Sequence, residues 1–282
     1  MAITNFIPEV WSAQLLSSLK KATIFGSPAV VNRNYEGEIT DSGDTVKITS
    51  ISRPTIATYT KDSTTISPET LTDAQRSLLI DQSKYFAFEV DDIDMRQSRD
   101  GGALLMEAAD EAAYGLADVA DQFLAGLYAG VDSGNAIGTT SVTTAALAVS
   151  NLIALKVKLD VANVPQSGRY VVVPPWYHAL LLGSDTFVRA DASGNADTLR
   201  NGQVGRAFGF DVLMSNNCVN VTGDDYIVQA GHPMALSFAE QIVKTEAYRP
   251  ESAFSDALKG LHVYGAKLVR PTAIATLTAS IT

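Results

Sequence analysis

The side chains able to do chemistry are few in this 282-residue chain, which has 3 histidines and 1 cysteine. His178, His232 and His262 have no metal-ligand spacing to one another or to Cys218, so each reads as a satisfied surface or interface residue. Asp91, Asp92 and Asp94 are carboxylates of the kind that hold a divalent cation. They lack the glycine and distal glutamate of an EF-hand loop and read as a solvated cluster. Asp191, Asn195 and Asp197 read the same way. Gly202, Gly205 and Gly209 in NGQVGRAFGF are followed by no Gly-Lys-Ser/Thr and by a strand rather than a helix, so they predict tight turns and not a phosphate cradle. No serine sits in a Gly-x-Ser-x-Gly setting, and Cys218 has no evident base. The sequence therefore offers no catalytic, cofactor-binding or metal-ligating residue, and the expectation is that the protein is not an enzyme.

Composition narrows the field further. The chain carries 31 acidic and 21 basic residues, a net charge of −10, with 46% hydrophobic residues. An acidic chain without a Lys/Arg run is repelled by phosphates, which argues against a specific reader of DNA or RNA. Nothing approaches eighteen consecutive apolar residues, so no membrane span is expected. The N-terminal MAITNFIPEVWSAQLL lacks the basic and apolar regions of a secretion signal. A lone Cys218 cannot form an internal disulfide, which fits synthesis in a reducing compartment.

The elements that would position any site are clearer. The stretch 104–128, LLMEAADEAAYGLADVADQFLAGLY, predicts a helix of about 25 residues, roughly 37 Å long. Leu105, Ala108, Ala109, Ala112, Leu116, Val119, Ala120, Phe123 and Leu127 fall on one face. Glu107, Asp110, Glu111, Asp118 and Asp121 fall on the other, which is expected to face solvent. Such a helix can act as a spine, with its apolar face expected on the sheet formed by 232–282. Before it, DTVKITSIS and RSLLIDQSKYFAFEV alternate with period two and predict a long antiparallel hairpin with a polar tip at 61–68. That tip is too poor in apolar residues to build a core, so the hairpin makes sense lying against another subunit. Ahead of the hairpin, Val10, Trp11, Leu15, Leu16 and Leu19 recur at helical spacing after Pro8 and need a surface to dock on.

After the spine, VDSGNAIGTTSVTTAALAVSN reads as a linker and subdomain boundary. Ser150 is the expected cap of a helix carrying Leu152, Ile153, Leu155 and Leu159. RYVVVPP predicts a buried strand stopped by prolines, and WYHALLL a short helix ending at Gly183. GFDVLMSNN and DDYIVQA predict two further strands, and the long alternating stretches after Gly231 a closing sheet. The fold class is α+β.

This succession of segments resembles the major capsid proteins (coat proteins) of tailed bacteriophages, whose shell fold is shared with herpesvirus capsids. NFIPEVWSAQLLSSL is similar to their N-terminal arm. GDTVKITSISRPT with RSLLIDQSKYFAFEVDDIDMRQS resembles the extended E-loop and its return, and the 104–128 helix resembles the spine of the peripheral (P) domain. LKVKLDVANVPQSGRYVVVPPWYHALLL and LRNGQVGRAFGFDVLMSNN resemble the axial (A) domain, and FAEQIVKTEAYRPESAFSDALKGLHVYGAKLVRP the closing sheet. The resemblance implies an arm at 1–35, an E-loop β-hairpin at 36–90, a P-domain at 91–131, an A-domain at 132–231 and closing strands at 232–282. It implies a subunit that assembles with itself into hexamers and pentamers, forming an icosahedral shell around double-stranded DNA without sequence-specific binding.

The same resemblance implies a portal partner, scaffolding or decoration proteins as separate chains, no membrane partner, and assembly in the host cytoplasm into a virion. No cofactor is implied. Some family members crosslink subunits through a lysine and an asparagine. Lys61 near the hairpin tip invites that comparison, but a plain surface lysine is the reading adopted. Two alternatives stand beside the shell subunit: an encapsulating nanocompartment of the same fold, and a soluble α/β hydrolase-like enzyme with the 131–150 linker between two domains.

Overall fold

The computed structural model describes residues 24–34, 45–51, 54–63, 65–66, 68, 70, 73–91, 101–184, 205–251 and 254–282. The expected arm helix at 5–21 and the residues Asp92, Asp94, Asp191, Asn195, Asp197 and Gly202 lie outside these. The alternating stretches form three sheets. In a two-stranded ribbon, β1 (Thr45–Ile51) pairs antiparallel with β2 (Asp73–Leu79), from Thr45 opposite Leu79 to Ile51 opposite Asp73. A three-stranded antiparallel sheet is ordered β10 (Leu236–Tyr248), β11 (Ser255–Leu268), β3 (Gln82–Asp91).

The third sheet runs β4 (Ala136–Ser141), β12 (Ile274–Ser280), β9 (Asp225–Gly231), β5 (Arg169–Val173), β7 (Phe210–Met214), β6 (Arg206–Ala207), with β8 (Asn220–Thr222) also on β9. The pairs β4–β12 and β5–β7 are parallel. Helices α2 (Ala145–Val161) and α3 (Pro175–Leu182) accompany this larger sheet. Together with the long helix α1 (Gly101–Gly126), the strands and helices give the expected α+β architecture.

Three sequence expectations change here. The run expected as one strand from Arg76 to Val90 is two strands in two sheets. Buried Ile80 and exposed Asp81 mark the crossing between them. The chain crosses directly over Gly265 of β11, where a Cβ would come inside contact distance of the Leu79 carbonyl oxygen and 2.9 Å from Ile80 Cα. The expected linker after the spine is instead a short 3-10 turn (Ser133–Asn135), the edge strand β4 and the start of α2. Thr144, not Ser150, caps α2: its side chain accepts from the Leu147 amide at 3.4 Å. The linker composition misled because short Thr- and Gly-rich edge strands share it.

The spine starts three residues earlier than predicted, and Gly101 and Gly102 belong to its first turn. Its buried face is also rotated. Ala113, Ala117, Asp121, Leu124 and Ala125 point inward, while Val119 is exposed. Alanine occurs all round this helix, so its apolar pattern does not fix orientation. The first half of α1 packs Ala113, Leu116 and Ala117 against Phe86 of β3. Its second half enters the main core through Ala120, Leu124 and Ala125, beside Phe25, Val30, Leu152, Phe210, Phe238 and Leu277. The helix therefore joins two packed regions. β12, expected in the closing sheet, lies inside the larger one.

Candidate assembly surfaces

The β1–β2 ribbon ends in a tip whose described residues from 54 to 70 are all exposed. Ile56 is 85%, Tyr59 65% and Ile66 75% exposed. Asp62 turns the tip at φ 65°, with the Ser63 amide donating to the Thr60 carbonyl at 3.3 Å. Lys61 sits beside this turn and is exposed. Three bare apolar side chains on a segment without a core are costly in water and gain most from a neighbouring surface. By contrast the ribbon's root is fixed: Leu78 and Ile80 are buried, and β3 continues it along β11 from Gln82 opposite Tyr264 to Asp91 opposite Ser255.

A strap formed by residues 24–34 crosses the spine and ends on β10. Asp121, only 3% exposed, accepts hydrogen bonds from the Phe25 amide at 2.7 Å, the Gly26 amide at 3.3 Å and the Asn217 side chain at 3.0 Å. Burial raises its carboxyl above the ordinary range, and these donors offset part of that cost. A cavity of about 140 Å³ opens here, lined by Ile24, Tyr114, Asp118 and Asn217 among others. At the strap's other end Asn32 bridges Ser237 of β10. Arg33 Nη1 reaches Glu240 Oε1 at 2.6 Å, its Nε donates to the Gly26 carbonyl at 2.8 Å, and its guanidinium lies 4.9 Å from the Phe238 ring centre. Burial would raise the Glu240 carboxyl, but His262 and Arg33 outweigh it and hold it below the ordinary range.

Among the described residues, those singled out for chemistry are not brought together. His178 lies on α3, and its imidazole is lowered by partial burial. His232 stands before β10, where its Nδ1 accepts from the Met234 amide at 3.2 Å. His262 is neither a surface nor a satisfied residue. It is fully buried on β11, and its Nε2 lies 3.4 Å from Glu240 Oε2 without hydrogen-bond geometry. Cys218 is buried and its thiol is pushed up to about 12, chiefly by burial, which leaves it without thiolate character. Asp91 ends β3, exposed. Among the described residues no group of three His, Cys, Asp or Glu side chains is placed to hold a metal. Gly209 turns the β6–β7 hairpin together with Phe208, at φ 86° and 52°, which is the tight turn expected there. Sequence reading missed Asp121 and Glu240 as anchors, because their partners Phe25 and Arg33 stand 96 and 207 residues away.

The described residues thus form a protruding ribbon, a strap over a spine helix and a mixed sheet body. A family model described as "Phage capsid protein" matches residues 74–277. A solved structure from Mycobacterium phage Che8 is 34% identical, covers 98% of each chain and superposes with a TM-score of 0.77. The capsid structure of Cyanophage P-SCSP1u has 17% identity, covering 93% of this chain and 89% of that one, with a TM-score of 0.74. A virus-like particle from Pyrococcus furiosus has 16% identity, covering 95% and 98%, with a TM-score of 0.57. No curated protein matches the sequence. The chain belongs to the phage capsid protein family. It is a structural subunit of a bacteriophage shell that self-assembles, and its place is the virion capsid.

Proposed function

We propose that this subunit forms hexamers and pentamers that close an icosahedral head around double-stranded DNA, without sequence-specific contact and without catalytic activity of its own. The single observation that carries this reading is the rooted, coreless ribbon with Ile56, Tyr59 and Ile66 bare at its tip. Many such weak contacts add through multivalency when each subunit touches several neighbours. The net charge of −10 suits a wall that encloses DNA without gripping it.

On this reading the chain divides into an arm (1–35), an E-loop hairpin (36–90), a P-domain (91–131), an A-domain (132–231) and closing strands (232–282), of which β12 returns to the larger sheet. Portal, scaffolding and decoration proteins would be separate partners, and assembly would take place in the host cytoplasm. Deleting residues 55–72 tests the hairpin's role. The expected outcome is a folded subunit, by circular dichroism and sizing, that yields no shells in electron micrographs. Normal shells from the deletion would overturn it. Particles of the intact chain that hold protein cargo and no nucleic acid would point instead to a nanocompartment.

A further inference from the structure

We draw no further inference here: the strongest candidate, the outer apolar face of α2 with Leu147, Ile153, Val157 and Val161 41%, 43%, 52% and 77% exposed, carries none because nothing in the structure shows what covers it.

Discussion

Gly265 and Leu79 meet where the ribbon leaves the sheet, and the Leu79 carbonyl occupies the space a side chain at 265 would need. The obstructing atoms are backbone, so they cannot rotate away. Gly265→Ala should lower stability by roughly 1–3 kcal/mol and displace the ribbon root, reducing shell yield. Gly138→Ala, where nothing stands within 4 Å, should do neither. Thermal unfolding and particle counts on the two variants check this.

The Arg33–Glu240 pair should give the strap an acid-sensitive hold. Glu240 titrates below its ordinary value near 4.5, so the folded state favours its charged form. That stabilisation is complete above about pH 4.5 and is lost as pH falls through the lower folded value. Protection of the Asn32 amide, which donates to the Leu236 carbonyl, against hydrogen exchange, taken relative to the intrinsic rate at each pH, should therefore hold down to about pH 4.5 and fall below it. Glu240→Gln should remove this step, and Glu240→Ala should cost about 3 kcal/mol by leaving Arg33 without its carboxylate.

Asp121 carries the opposite sign. Its raised carboxyl means that the folded chain takes up a proton more readily than the unfolded one. Its contribution is therefore fullest below 3.8 and declines as pH rises through the raised folded value. Asp121→Ala removes the acceptor for two strap amides and for Asn217. A loss of about 2–3 kcal/mol and fast exchange at Phe25 are expected. Asp121→Asn keeps one acceptor oxygen and should fall between wild type and alanine.

Cys218, buried within the β7–β8 turn with its thiol pushed up to about 12, should resist alkylation at pH 8 in folded protein. It should react fully once the chain is unfolded in denaturant. Thiol titration with and without denaturant checks this, and rapid labelling of native protein would contradict the packing of that turn.

What the sequence could reveal follows from the range of its forces. Period-two alternation marked β10, β11 and the ribbon, and the run RYVVV marked a strand buried on both faces, because these patterns are local. Period alone could not show that Ile80 starts a crossing between sheets, since a buried crossing residue looks like one more inward position. Nor could it orient α1, where alanine on every side left Asp121 indistinguishable from Asp110 and Glu111 outside. The strap anchors were invisible for the same reason: a carboxylate is assigned to solvent until its distant donors are known. The two-sided apolar character of α2 was present in the letters, but only burial distinguishes Leu152 from Val157.

The strand order also bears on the timing of synthesis. Residues 274–280 form β12, which is flanked on both sides within the larger sheet, by β4 and by β9. The ribbon's continuation β3 has β11, residues 255–268, as its partner. A nascent chain thus exposes its ribbon early but cannot root it, or close the body behind α2, until residues 255–280 have left the ribosome. Shell-forming geometry is thereby withheld from partial chains, so premature lattice growth on the translating ribosome is disfavoured by topology itself.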